Sequence, residues 1–276
     1  MLNVGRLLLK TMRMIGLILL VLVFATPFLW MAVTSVKSLT ETLTFPPIWI
    51  PETIMWKNFV AAWESGPFLR YLVNSVIVSG SILVLQLFTI IPAAYAFARY
   101  RFRGDKLLFG ITMVTLMIPA QLIFLPLYLQ FSEWNILDTH LALILPFAAN
   151  AFGIFMLRQS FKQVPEELIE AARLDQAGEW KIMYKVMVPI AKPVIITFAL
   201  FSFITSWNDY FWPLVMTTSE TARTLPVGIT ALMNVEGGVA YNIMMAGNML
   251  LVVPVLIIFF FAQRQIIRAF VYTGEK

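Results

Sequence analysis

Long runs of apolar residues free of charge alternate along the chain with short segments that collect the Lys, Arg, Asp and Glu. Four runs, at 14–36, 71–98, 107–132 and 237–263, reach or exceed the ~20 residues that a helix needs to cross about 30 Å of hydrocarbon. Two more, at 141–157 and 186–208, are dense in Leu, Ile, Val, Phe and Ala, although the first is shorter and the second carries Lys192 near its start. The pattern predicts an all-α integral membrane protein, with about six spans in one transmembrane domain covering 1–276. Pro119, Pro126, Pro146, Pro193 and Pro254 fall inside or beside the spans, where each removes a backbone donor and favours a kink.

Composition agrees with the pattern. Of the 276 residues, 60% are hydrophobic and 13% charged, which is too apolar for a soluble domain of this length. With no cysteine and one histidine, thiolate nucleophiles, disulfides, iron–sulfur clusters and a Cys/His zinc site are excluded. A net charge of +5 would suit a nucleic-acid partner only if the cations shared one exposed face. Instead, with the N-terminus in the cytoplasm, Arg6, Lys10, Arg13, Arg99, Arg101, Arg103, Lys106, the cations of 158–192, Arg264, Arg268 and Lys276 fall on the inner side. Only Lys37, Lys57, Arg70 and Arg223 fall on the outer side. The positive-inside rule accounts for this, with both termini cytoplasmic, membrane lipid around the spans and no nucleic acid. The first apolar run exceeds the roughly 7–15 residues of a secretory signal core, and is read as an uncleaved anchor.

Three outer loops follow from this topology. The first, 35–70, combines Pro46, Pro47 and Pro51 with Trp49, Trp56, Phe59 and Trp63, an aromatic content suited to the outer interface or to an external partner. The lone His140, in the connection 133–140, is expected in an exposed loop without a metal or acid–base role, since no second ligand or orienting group accompanies it. The third loop, 217–241, has turn chemistry at Gly237-Gly238 and no motif.

The longest inner segment, 158–187, reads as two helices outside the membrane. Pro165 suits the first helical position and Glu166 and Glu167 the positive end of the dipole, so the first helix starts here and runs to about Asp175. A break near 176–178 admits a second helix from Glu179 to about Met187, before Pro189 leads into the fifth span. Leu168, Ala171, Ala172 and Asp175 share a short face beside Glu170, with small residues at its centre. Such a face enters a partner's groove or packs on the bundle itself, and spacing alone leaves both open.

The run Val164-Pro165-Glu166-Glu167-Leu168-Ile169-Glu170-Ala171-Ala172-Arg173-Leu174-Asp175-Gln176-Ala177, closed by Val186-Met187-Val188-Pro189, resembles the EAA loop of binding-protein-dependent ABC importer permeases. In that family the loop is a coupling helix that docks on the ATP-hydrolysing subunit. The resemblance assigns coupling to Glu166, Glu167, Leu168, Glu170, Ala171, Ala172, Leu174, Asp175, Ala177 and Gly178. Gln176 stands where the family usually has glycine, and Val186 and Val188 stand where it prefers Ile and Leu. Gly178 is then expected to serve the turn. Tyr71–Ser75, Ala93–Arg99, Leu137–His140, Ser206–Tyr210 and Thr224–Gly228 are also similar to segments of the carbohydrate-uptake branch, more narrowly to its smaller, maltose-transporter G-type permease. The resemblance implies a subunit of a bacterial or archaeal cytoplasmic (inner) membrane. Its partners would be a second homologous permease, two ATP-binding cassette subunits and an external solute-binding protein. Its solute would be a sugar or related polar compound, with a glycerol-phosphate compound as the alternative.

No Gly-rich loop ending in Gly-Lys-Ser/Thr is present, so ATP and Mg are expected on the partner subunits, and this chain is expected to bind no cofactor and to be no enzyme. The spans contain almost no charge away from their ends, which disfavours the buried ion relays of a secondary transporter. Polar groups at membrane depth are Asn74, Ser75, Gln86, Gln121, Asn150, Ser202, Thr205, Asn208 and Asn248, and the densest cluster runs from Trp207 to Trp212. Amides and hydroxyls exchange hydrogen bonds with sugar hydroxyls, but they also bond between helices. The substrate-pathway candidates are Asn74, Gln121, Asn150, Trp207, Asn208, Asp209 and Tyr210. Two rival readings remain: a membrane enzyme acting on lipid or glycan, for which neither HExxH nor GxSxG is present, and a secondary transporter or channel that needs no ATPase.

Overall fold

A computed structural model describes residues 2–230, 232 and 240–271; these are helices and connections, with no strand among the described residues. The Gly237-Gly238 turn lies outside them. In chain order the helices are α1 (Leu2–Ser35), α2 (Leu39–Leu43), α3 (Lys57–Glu64), α4 (Phe68–Arg99), α5 (Asp105–Val114), α6 (Ala120–Glu133), α7 (His140–Ile144) and α8 (Ala151–Lys162). They continue with α9 (Glu166–Leu174), α10 (Glu179–Ile182), α11 (Val188–Ile190), α12 (Lys192–Trp207), α13 (Phe211–Met216), α14 (Leu225–Thr230) and α15 (Tyr241–Val271).

Three stretches are long and apolar enough to cross a membrane unbroken: Leu9–Ser35 of α1, the whole of α4, and Tyr241–Arg264 of α15. Three bent pairs raise the number to six. Asp105–Met117 meets Gln121–Glu133 at 98°, His140–Phe147 meets Ala151–Lys162 at 42°, and Glu179–Ile190 meets Lys192–Trp207 at 80°. Each break contains a proline or lies within two residues of one. The run 107–132, read as one span, is therefore two helices. Pro119 has no N–H to continue α5 and disfavours helical backbone at Ile118, which is extended at φ −85°, ψ 114°.

The chain divides into two compact units, Met1–Phe68 with Gly228–Val253, and Leu69–Val227 with Pro254–Lys276. In the first unit, α1 exposes apolar side chains on every side, Leu17 at 63% and Phe24 at 69%, as a helix does whose solvent is lipid. The loop after it is folded. Ser38 and Glu41 form a capping box at the start of α2, the Glu41 carboxylate accepting from the Ser38 N–H at 2.8 Å. The Asn58 amide donates to the carbonyls of Ser35 and Lys37 at 2.9 and 2.8 Å. The buried Lys37 ammonium sits 4.0 Å from the Trp30 ring centre.

The second unit is built around α4. Its C-terminal half carries Ile90, Ala94 and Tyr95 into a core with Ile154, Leu157 and Phe161 of α8, Ile169 of α9, Ile182 of α10 and Phe198 of α12. Its N-terminal half places Val78 and Ile82 against Phe131 of α6, Ala142 and Leu143 of α7, and Trp212 and Met216 of α13. Gly153 permits the close approach of α8: a Cβ there would lie 2.5 Å from Ile90 Cδ1 and 2.7 Å from Phe198 Cε2.

Candidate functional site

The segment after α8 forms a helical hairpin. Pro165 is the residue before α9, and Glu166 and Glu167 occupy the first turn, where the dipole favours carboxylates. The helix ends in a Schellman motif, with the Ala177 N–H bonded to the Ala172 carbonyl at 3.0 Å and the Gln176 N–H to the Arg173 carbonyl at 2.9 Å. That geometry needs a left-handed residue, and Gln176 supplies it at φ 54°. The expectation for Gly178 is corrected: at φ −67°, ψ 159° it is an ordinary extended residue preceding α10, and no turn requires it to be glycine. The turn falls at the position where the family pattern has glycine because that is the position after the cap.

Ile169 is the buried anchor of α9, 1% exposed in the core, with Ala172 and Ala177 packed at its edge. Leu168, Glu170, Ala171, Leu174 and Asp175 face outward, Leu174 at 85% exposure. The sequence grouped Leu168 with Ala172 on one face; the structure divides them, because the core takes Ile169 and Ala172 and leaves Leu168 out.

Two side chains of α4 hold this hairpin. The Arg99 guanidinium donates to the carbonyls of Phe161 and Val164, both at 2.6 Å, and to Glu166 Oε2 at 2.8 Å. It thereby satisfies acceptors at and just beyond the end of α8 and fixes the first residue of α9. One helical turn earlier, the Tyr95 hydroxyl donates to Glu179 Oε2 at 2.6 Å, which ties down the first residue of α10. Arg158 reinforces the arrangement, donating from Nε to the Phe97 carbonyl at 3.1 Å while its guanidinium lies 3.9 Å from the Phe109 ring centre. The second arm continues from α10 through a π-helical turn, Met183–Met187, whose Met183 and Met187 are buried.

Side chains of α4, α8 and α12, with Phe147 and Asn150 from either side of the break, line a cavity of about 260 Å3 that opens to the surface at Phe152 and Phe201. Gln86, Asn150, Ser202, Thr205 and Ser206 give it a polar lining. Gln86 donates to the Phe147 carbonyl at 2.9 Å and accepts from the Ser202 hydroxyl, and Thr89 donates to the Ala148 carbonyl at 2.9 Å. These bonds satisfy backbone acceptors that the break between α7 and α8 would otherwise leave bare inside the membrane. Asn150 caps α8, accepting from the Gly153 N–H at 3.0 Å.

The family model described as binding-protein-dependent transport system inner membrane component matches residues 90–272, which include the whole hairpin. The chain belongs to that family. It is a transport subunit of the inner membrane and not an enzyme. It is 32% identical over 265 residues to the arabinooligosaccharides transport system permease protein AraQ of Halalkalibacterium halodurans, covering 95% of each chain. It is 31% identical to the sn-glycerol-3-phosphate transport system permease protein UgpE of Yersinia pestis, covering 85% of this chain and 86% of that one. A chain from a bacterial ABC transporter involved in import of the acidic polysaccharide alginate has the same fold, with a TM-score of 0.83 at 24% identity over 94% of this chain and 97% of that one.

The seven pathway candidates do not converge. Asn150 lines the cavity, and Asp209 lines a smaller one of about 40 Å3 that shares Phe147, Thr205 and Ser206 with it. Asn74 is spent in joining other segments: its amide donates to the carbonyls of Thr221 and Arg223, both at 2.9 Å, and its oxygen lies 3.0 Å from His140 Nε2. His140 thus opens α7 half-buried, not in an exposed loop. Gln121 and Tyr210 are exposed, Asn208 bonds back to the Ile204 carbonyl, and Trp207 is buried and stacked on Phe203. Gln86, Thr89 and Ser202 form the network that the candidate set omitted. Their signal is the i, i+3 pair Gln86 and Thr89 on one face of the otherwise apolar stretch 82–94 of α4.

Proposed function

We propose that the chain is the pathway-forming permease of an ATP-driven, binding-protein-dependent importer for a sugar or related polar solute. Its termini lie in the cytoplasm, a second homologous permease completes the pathway, two ATP-binding subunits grip the hairpins, and an external binding protein delivers the solute. The sugar-transporting relative and the family's dependence on a binding protein support this reading. The observation that carries it is the outward face of Leu168, Ala171, Leu174 and Asp175 on a hairpin bolted to α4. An exposed Leu174 between small residues costs solubility unless a partner covers it, and the pair of ties at Arg99 and Tyr95 converts a push on α9 and α10 into movement of a membrane-crossing helix. Closure of the ATPases then biases the bundle between inward-open and outward-open states.

Glu170→Lys and Leu174→Asp test the reading in the reconstituted assembly, since both side chains point away from the core. Uptake and solute-stimulated ATP hydrolysis are expected to fall together while the chain remains inserted. Normal uptake and normal stimulation in both variants would remove the assignment.

A further inference from the structure

We propose that the cavity between α4, α8 and α12 is a binding station for one uncharged sugar unit, so that the importer takes neutral oligosaccharides rather than glycerol phosphate or acidic sugars. The inference rests on the importer reading above and names its solute class.

The cavity sits near the middle of α4 and α12, where lipid-facing positions are apolar. Gln86, Asn150 and Ser202 already bond within the protein, and the two remaining hydroxyls of the lining, of Thr205 and Ser206, cost less facing an aqueous path than facing hydrocarbon. The unwound backbone at 148–150, next to carbonyls that Gln86 and Thr89 hold, is of the kind tolerated at membrane depth where protein buries it or where it borders a watery cavity. The network is also preset: the Gln86 amide is held at both ends, by the Phe147 carbonyl and the Ser202 hydroxyl, so little ordering remains when a ligand arrives.

The rest of the lining decides the ligand's chemistry. Phe147, Phe152, Phe198 and Phe201 add aromatic side chains to it. A sugar ring needs this combination, since its C–H faces pack on aromatic rings while its hydroxyls both donate and accept. A phosphate or uronate needs a cation or several converging donors, and among the described residues no Lys or Arg lines the cavity. The adjoining small cavity adds Asp209, an acid and not a base. A volume of about 260 Å3 lies just below the roughly 300 Å3 at which small-molecule pockets begin, so one ring of a longer chain fits at a time.

The test uses the chain with its co-purified partners in proteoliposomes, offered arabinotriose, sn-glycerol 3-phosphate or an alginate trisaccharide at equal concentration. ATP-dependent uptake of arabinotriose above both anions is expected. Thr205→Val, which keeps the shape and removes one hydroxyl, should raise the half-saturating concentration for arabinotriose about threefold to tenfold, the worth of one hydrogen bond. Thr205→Ser should restore it, and Phe201→Ala should raise it similarly. Preference for either anion would overturn the inference while leaving the importer intact, and so would unchanged saturation in both Thr205→Val and Phe201→Ala. Uptake without ATP would instead overturn the importer reading on which the inference stands.

Discussion

Arg99, the last residue of α4, is paired at 2.8 Å with Glu166, the first residue of α9, although the two lie 67 positions apart. Its side chain is 10% exposed where that of Glu166 is 56% exposed, so the carboxylate contributes less than the two carbonyls that share the guanidinium. Arg99→Ala leaves the Phe161 and Val164 carbonyls without their charged donor and is expected to cost about 2 kcal/mol. Arg99→Lys keeps the charge but loses the planar fork, and should recover only part of it. Tyr95→Phe removes the bond to Glu179 and keeps the ring, at about 1 kcal/mol. If these ties transmit force, the double variant Arg99→Lys with Tyr95→Phe hydrolyses more ATP per solute moved. An unchanged ratio, with thermal melting lowered, would make them structural ties only.

Gln176 holds a left-handed conformation that costs a residue with a Cβ about 1 kcal/mol or more relative to glycine. Gln176→Gly should therefore stabilise the end of α9 by about 1 kcal/mol, seen as slower amide exchange at Ala177, whose N–H closes the Schellman motif. Gly178→Ala should stay within about 0.5 kcal/mol, because its φ is ordinary and no atom lies within 4 Å of the added Cβ. The reverse ranking would move the turn to Gly178.

These two positions show which parts of the molecule the sequence discloses. The hairpin was legible because its signals are local: acidic residues at the start, a short amphipathic face and a break within a few residues of Gln176. The helical class was legible from uncharged runs longer than a membrane is thick. Bends were visible only as prolines, since Pro119 states that the helix is interrupted and not that its halves diverge by 98°. The cavity was harder still. Gln86 and Ser202 are 116 positions apart and each reads alone as an ordinary polar residue in a span; only the packing of α4 against α12 joins them. For the same reason Asn74 reads in the sequence as a pathway residue, while its partners come from distant segments: Thr221 and Arg223 from the loop after α13, and His140 from the start of α7.

The loop after α13 also carries a pH dependence. Asp138 Oδ1 accepts from the N–H groups of Thr218 and Ser219, both at 3.0 Å. Burial alone would raise its pKa, but the Ser219 and Thr218 hydrogen bonds outweigh it and hold the carboxyl below its ordinary value. A carboxyl depressed in the folded state adds stability that is present above the unfolded pKa, about 3.9, and is lost as pH falls through the lower folded value. The melting temperature should thus decline below about pH 4. Asp138→Asn keeps an accepting oxygen and tolerates the φ of 60° at this site, so its melting temperature should be lower than that of the parent at pH 6 and should change less between pH 6 and pH 3. Equal slopes for the two proteins would show that another group sets the acid limit.

The absence of cysteine makes the proposed orientation directly measurable, because any thiol introduced is the only one. Leu174 and Ser219 are suitable positions. Leu174 is exposed at the end of α9, and Ser219 lies in the loop that Asp138 clasps, its backbone N–H bonded to that carboxylate and its hydroxyl accepting from the Thr221 N–H at 3.3 Å on the exposed side of the loop. In intact cells or right-side-out vesicles, a membrane-impermeant maleimide should label Ser219→Cys and not Leu174→Cys; inverting the vesicles should exchange the two. Adding the ATP-binding subunits to inverted vesicles should then slow labelling at Leu174→Cys, since that face is where they are proposed to grip. Labelling of Leu174→Cys from the outside would reverse the topology, and with it every assignment made to the hairpin.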